Sequence, residues 1–322
     1  MKKKLVSVAV ITYNMEKYLP SLLGSILKQK VDFEYEIVID DDCSSDNSRK
    51  IIREYAAKYP NIIKPIYRDT NVGGSRNMYG VLKQCTGKYI AILEGDDFWE
   101  AEDKLQYQVD FLEKHEEYIG MCCNSWCEHG DIPTYEHLMR NRTESKVFTY
   151  QDFMNRHFHD RLPSSTDTWI FRNIFANGEE YPLFYNAHPM IWDQSLILIL
   201  YGKGSIYADP RVVSHHRSVT KKDGTNYQSI ITQKNCLYGD SKMYQAMEEY
   251  MDNILKKNCD EFYLVRGDVW IDAIFRAFIT KNLDDKKIAG KIWRDQRKKG
   301  MLIMLFVNKS INILARKMRL VK

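Results

Sequence analysis

The sequence predicts an α/β protein with a mostly parallel, Rossmann-like sheet covered by helices on both faces, followed by a helical C-terminal extension. Three observations predict it. Through the first hundred residues, short apolar runs of strand length alternate with segments of helical period. Two of those runs end in carboxylate clusters, Asp40-Asp41-Asp42 and Glu94-Gly95-Asp96-Asp97. From about residue 225 the periodicity is helical to the end.

Leu5 to Ile11 reads as the first strand. Asn14 then caps a helix whose apolar positions Tyr18, Leu19, Leu22, Leu23, Ile26 and Leu27 fall at helical spacing. Tyr35 to Ile39 is the second strand. Ser44, Ser45 or Asp46 caps a helix with Ile51, Ile52, Tyr55 and Ala56 on one face, closed by Pro60. Ile62 to Tyr67 is the third strand, Asn71-Val72-Gly73-Gly74 a turn, and Ser75 to Cys85 a third helix closed by Gly87. Tyr89 to Leu93 has the length of a strand buried on both faces. Leu105, Val109 and Leu112 mark a helix, Ile119–Trp126 a strand, and 128–146 a polar loop or short lid. Thr168–Phe171 and Val212-Val213 read as strands, and Asp193 to Leu200 as a helix ended by Gly202 and Gly204. Val265–Phe278 exemplifies the final helical region.

With 44% hydrophobic and 28% charged residues, the chain has the composition of a globular protein and not of a disordered one. Its net charge of +4 is unevenly placed: residues 281–322 hold 13 Lys+Arg against 3 Asp+Glu, and the rest is net acidic. Seven irregularly spaced cysteines argue for buried thiols in a reducing compartment; no zinc spacing follows Cys122, Cys123 and Cys127. The Lys-rich, apolar start lacks a small-residue cleavage site, and no apolar run of about 18 residues occurs. The expected location is cytoplasmic.

Carboxylates are rarely buried unless paired or bound to a cation. Two acidic clusters at the C-terminal ends of strands in one sheet can face a single crevice. One can then hold a divalent metal while the other accepts hydrogen bonds from a base or ribose. The bland alternative is two unrelated acidic loops.

The motifs resemble a known family. Val8-Ala-Val-Ile-Thr12-Tyr13-Asn14 and Ile37-Val-Ile-Asp40-Asp41-Asp42-Cys43-Ser44-Ser45-Asp46 look like the opening signature of family 2 glycosyltransferases. Asn71-x-Gly73-x-x-Arg76-Asn77 and Gly87-Lys-Tyr89-x-x-x-Leu93-Glu-Gly-Asp96-Asp97-x-Trp99 continue it in order. The close match covers residues 5 to about 112, and a looser one reaches Arg217. The resemblance implies a GT-A fold, a nucleotide-sugar donor, Mn²⁺ or Mg²⁺, and inversion at the anomeric carbon. By position, Thr12 and Asn14 lie near the nucleotide, Asp42 with Asp41 meets the base, and Arg76 lines the donor pocket. Asp96 approaches the ribose or metal, and Asp97 the metal itself. Glu94 stands where relatives often carry Asp. Trp192-Asp193-Gln194 resembles the second-half Asp motif at a helix start, making Asp193 the candidate general base; its plain alternative is a helix cap. Ser214-His215-His216-Arg217 sits where relatives carry an element reaching the metal or diphosphate, so His216 joins the expected metal ligands. Ser164-Ser165-Thr166-Asp167 looks like the acceptor-side segment.

Three regions follow: 1–100 for the nucleotide sugar, 101–224 for the acceptor, and 225–322 helical with a basic tail. The tail flanks Met301–Val307 with Lys291, Arg294, Arg297, Lys298, Lys299, Lys309, Arg316, Lys317 and Arg319. That pattern suits an anionic membrane interface, a solvated charged helix or packing on the catalytic domain; nothing in it reads nucleic acid. The expected activity is transfer of a hexosyl or N-acetylhexosaminyl group from a UDP sugar. The acceptor is a glycan or a polyprenyl-diphosphate-linked chain in surface polysaccharide synthesis at the inner membrane face. The rivals are a sugar-phosphate nucleotidyltransferase and a non-catalytic nucleotide-sugar-binding scaffold.

Overall fold

The computed structural model describes residues 5–129, 137–139, 143–155, 162–218 and 235–307. The chain forms two compact units, 1–153 with 159–222 and 154–158 with 223–322.

The first unit is built on a ten-stranded sheet. Strands β1 (Val6–Thr12), β2 (Tyr35–Asp41), β3 (Ile63–Tyr67) and β4 (Tyr89–Glu94) are all parallel, in the order β3-β2-β1-β4. Their burial explains their composition. Val6, Val8 and Val10 face one side, against Leu19, Leu22, Leu23 and Ile26 of α1 (Leu19–Leu27) and Ile52 of α2 (Ser48–Lys58). Ala9, Val38 and Ile92 are buried on the alternate positions, as are Met78, Val81 and Leu82 of α3 (Gly74–Gln84), which packs on β1 and β2. A strand covered on both faces has no polar side to show, so it reads as an unbroken apolar run.

Beyond β4 the sheet becomes mixed. The two-residue strand β5 (Phe98–Trp99) precedes α4 (Lys104–Lys114), β6 (Tyr118–His129), β7 (His137–Met139), β8 (Lys146–Phe148) and the short α5 (Tyr150–Phe153). A 3₁₀ turn at Thr166–Thr168 leads into β9 (Ile170–Arg172), then α6 (Pro182–Asn186), α7 (Asp193–Lys203) and the long β10 (Ser205–Ser218). The order continues β4-β9-β6-β10-β5, with β9 antiparallel to both neighbours and β10 parallel to β6. Helix α7 is buried nearly all round, from Gln194 to Tyr201, which accounts for its uninterrupted apolar run.

Several local expectations shift. Asn14 does not cap α1: the helix starts at Leu19 with Tyr18 at the N-cap, and Asn14 takes a left-handed φ of 54° instead. There its side chain serves the loop after β2. Part of the 128–146 stretch is strand, with β7 pairing with β6 and β8 with β10, and the expected Thr168–Phe171 strand starts only at Ile170, Thr168 being the last residue of the 3₁₀ turn.

The second unit is helical: α8 (Leu237–Tyr250), a π-helical turn at Met251–Leu255, α9 (Asp260–Thr280), α10 (Leu283–Arg294) and a helix over 299–307. Trp270, Ile271, Ala273, Ala289, Ile292, Leu302 and Leu305 form its core. The apolar stretch Met301–Val307 is therefore divided, with Leu302 and Leu305 packed inward and Ile303, Met304 and Val307 exposed. The tail residues Lys309, Arg316, Lys317 and Arg319 lie outside the described residues. No described helix is long and apolar enough to cross a membrane. None of the seven cysteines forms a disulfide, and five of them are buried.

Candidate active site and metal centre

Parallel pairing brings the acidic strand ends together. Ile11 of β1 is in register with Asp40 on one side and Glu94 on the other. The two clusters thus flank the end of β1, about 10 Å apart across two strand spacings. Between them lies Thr12, whose buried Oγ1 has no hydrogen-bond partner.

The β2 cluster is held largely by its own neighbours. Asp40 Oδ2 accepts from Arg68 Nε and Nη2 at 2.9 and 2.6 Å; even so, burial pushes this carboxyl up to about 6. Asp41 Oδ2 accepts from Arg49 Nε at 2.6 Å and Ser44 N at 3.0 Å. Asp42 accepts from Val72 N at 2.7 Å and Gly73 N at 2.9 Å, and its backbone N–H donates to Thr12 O. Burial raises the Asp42 pKa, with those two amides acting against it. Asn14 ties the loop after β1 to the loop after β2, its Oδ1 accepting from Ser45 N at 2.8 Å while its own N–H donates to Ser44 Oγ.

The β4 cluster differs. Residue Asp97 is wholly buried at the entrance to β5, and β10 runs antiparallel to β5 with Ser214 opposite Trp99. The register of β10 slips between Ala208 and Val212 and again before Ser214. Bulges of this kind re-aim side chains, and here His216 Nδ1 comes within 3.2 Å of Asp97 Oδ2. Arg217 N donates to Asp97 Oδ1 at 2.8 Å, and Arg217 Nη1 donates to the Asp96 carbonyl. Asp167, presented by the 3₁₀ turn, completes a group with Asp97 and His216 whose ligand atoms all lie within 4.8 Å of one another. Its Oδ2 accepts from Ser125 Oγ at 2.7 Å and from Ser214 Oγ, and its buried Oδ1 has no hydrogen-bond partner. Glu94 Oε1 accepts from Thr166 Oγ1 at 2.8 Å.

Electrostatics follow from this crowding. Burial, with the Asp97 and Asp96 charges, pushes Glu94 up to about 8. Burial pushes Asp97 up to about 7 despite the His216 contact. Burial acts to lower the His216 pKa, but the Asp97 carboxylate outweighs it and holds the imidazole protonated well above its usual range.

Of the other expected site residues, Arg76 stacks over Tyr185 at 5.5 Å and lines a cleft of about 470 Å³ with Arg68, Val72, Tyr79 and Glu180. Asp193 is the first residue of α7, half-buried, and follows Trp192, which packs beside Gly74. Asp96 is half-buried and outside the Asp97–Asp167–His216 group. His215 stacks on Phe98 and contacts Glu100.

The family model described as Glycosyl transferase family 2 matches residues 7–178, more than half of the chain. The chain belongs to glycosyl transferase family 2. An uncharacterized Mycobacterium tuberculosis protein is 42% identical over 111 residues, which are 34% of this chain and 32% of that one. Staphylococcus aureus TarS, named a poly(ribitol-phosphate) beta-N-acetylglucosaminyltransferase, is 38% identical over 113 residues, 34% of this chain and 19% of TarS. These matches span a third or less of either relative. The crystal structure of S. aureus TarS 1–349 in complex with UDP-GlcNAc superposes with a TM-score of 0.64 at 18% identity, covering 90% of this chain and 80% of that one. That likeness speaks for the fold, which is GT-A.

A divalent cation fits the donor set of this family 2 domain. Two buried carboxylates and an imidazole suit Mg²⁺ or Mn²⁺. The buried Asp167 Oδ1 without a hydrogen-bond partner, beside Asp97 and His216, is an acceptor that a cation would satisfy. Sequence reasoning assigned Asp167 only to an acceptor-side segment. It lies 70 residues beyond Asp97 with no spacing to connect them, and the polar run Ser164–Asp167 ahead of a strand was its one signal.

Proposed function

We propose that this protein is an inverting glycosyltransferase that moves a sugar from a UDP sugar to a hydroxyl of a glycan or lipid-linked acceptor in surface polysaccharide synthesis. The observation that carries this reading is the buried Asp97–Asp167–His216 group at the strand ends of a family 2 domain, next to the loop that Asp42 organises. The name of the TarS relative and the UDP-GlcNAc in its structure support the UDP-sugar donor. Family membership favours this chemistry over that of a nucleotidyltransferase.

In this reading Asp97, Asp167 and His216 hold Mn²⁺ or Mg²⁺, while Asp96, just outside that group, meets the ribose. The ion supplies Lewis-acid stabilisation of charge on the departing diphosphate. Thr12, Asn14, Asp41 and Asp42 shape the nucleotide site, and Arg76 contributes its positive charge to the donor pocket. Asp193 takes the proton from the acceptor hydroxyl as its oxygen bonds to the anomeric carbon and the bond to the diphosphate breaks. One displacement inverts the centre, so a single base suffices. The basic C-terminal segment brings the enzyme to the inner membrane face, where a polyprenyl-linked acceptor would reside.

Calorimetry of UDP binding with and without Mn²⁺ tests the site. Binding that requires the ion in the parent and loses that requirement in Asp97→Ala is the expected result. Ion-dependent UDP affinity that survives in Asp97→Ala would overturn the assignment.

A further inference from the structure

The link between α6 and α7, residues 187–192, joins the two ends of the proposed site. His188 is buried, and its Nδ1 accepts from two backbone amides of that link, Met190 N at 3.1 Å and Ile191 N at 2.9 Å. Two donors aimed at one ring nitrogen define the tautomer: Nδ1 carries the lone pair and Nε2 the proton. Burial pushes this imidazole down to about 4, so the neutral form that can accept persists at neutral pH.

The turn that His188 closes is seated on the donor loop. Pro189 O accepts from Ser75 N at 3.0 Å, at the first turn of α3, where backbone amides lack helical partners. Gly73 has a φ of +85°, and a Cβ there would stand 2.9 Å from Pro189 O. A Cβ on Gly74 would stand 3.3 Å from Met190 O and 3.9 Å from Trp192 Cδ1. Two successive glycines let the backbones approach closely, with no room for a Cβ at Gly73 and only a tight fit for one at Gly74. Gly73 N is also one of the two amides that hold Asp42. A short covalent and hydrogen-bonded path therefore runs from Asp42 through Gly73 and Pro189 to Trp192 and Asp193.

We propose that His188 is a positioning residue for Asp193: by gathering the Met190 and Ile191 amides it presents the Pro189–Met190 backbone to Gly73-Gly74 and sets the start of α7 relative to the donor loop. The proposal rests on Asp193 being the base. Displacement of a catalytic group by about 1 Å can cost on the order of 100-fold in rate without touching the substrate's own contacts. Loss of the Nδ1 acceptor should thus act on turnover and leave donor affinity alone.

The test compares His188→Phe, which keeps a ring but no acceptor, with His188→Asn, whose Oδ1 can stand in for Nδ1. The readouts are Mn²⁺-dependent UDP affinity, UDP release from UDP-GlcNAc, and amide exchange at Met190 and Ile191. In His188→Phe we expect kcat to fall about 10- to 100-fold, UDP affinity to hold within about two-fold, and both amides to exchange faster. His188→Asn should restore most of the turnover and the protection. Should the Phe variant not fold, Gly74→Ala, which crowds Met190 O, is expected to shift the same amides in the same direction. The proposal falls if His188→Phe turns over normally, if it loses UDP affinity in proportion to rate, or if Asn is no better than Phe. Asp193→Ala separates the two readings: normal turnover in that variant defeats the base assignment and this proposal together, whereas an inactive Asp193→Ala beside a fully active His188→Phe defeats the positioning role alone.

Discussion

The two acidic strand ends are similar in sequence and opposite in electrostatic design. At the end of β2, three carboxylates meet two guanidiniums and three backbone amides, from Arg49, Arg68, Ser44, Val72 and Gly73. Around the end of β4, Glu94, Asp96, Asp97 and Asp167 gather about one imidazole, and most of the remaining donors are neutral hydroxyls and amides. Burying several carboxylates costs heavily unless positive charge accompanies them. The first cluster carries its counter-charge in the chain and organises loops. The second leaves room for a cation, which is the reason the proposed metal site is placed there.

The contrast can be broken at either end. Asp97→Ala should have one of the two largest effects, lowering transfer by about 10²–10³-fold or more as the charge on the departing diphosphate loses its support; steady-state UDP release at saturating Mn²⁺ measures it. Asp193→Ala should lower kcat by about 10²–10⁴-fold while UDP affinity stays at the parent value, separating proton removal from donor binding. Next comes Asp167→Asn. It should weaken Mn²⁺ binding by at least about 10-fold, the size of effect that outer-shell changes already produce, and an unchanged calorimetric isotherm would remove Asp167 from the metal centre.

Arg68→Met should do the reverse, leaving Mn²⁺ affinity intact while stranding Asp40. Because Arg68 is part-exposed, the stability loss should be about 1–3 kcal/mol rather than the full cost of a buried pair; chemical denaturation of the full chain reads it. The smallest effect concerns pH. Asp40 is raised from 3.8 to about 6, so the folded state holds its proton more tightly than the unfolded state. Its contribution is therefore complete below the unfolded value and is lost as pH rises through about 6. Asp40→Asn should flatten the stability profile over that window.

How much of this was legible depends on the distance over which each feature is encoded. Strands β1 to β4 announce themselves, because burial on both faces demands continuous apolar runs and parallel connections demand intervening helices. The acidic motifs mark the site for the same local reason. Arg49 and Arg68 carry no signature, since the pairing that places them against Asp41 and Asp40 is set by α2 and by the end of β3. His188 was equally silent, as a lone histidine in a short link gives no hint that its lone pair gathers two amides.

From the amino-acid order alone came the parallel half-sheet, the two carboxylate clusters and the helical character of the C-terminal region, because periodicity and turn chemistry are properties of neighbouring residues. Which carboxylates come together was decided only by tertiary structure. A slipped register in β10 and a 3₁₀ turn before β9 carry His216 and Asp167 to Asp97 across 119 and 70 positions of chain, and no local pattern specifies where such distant segments meet.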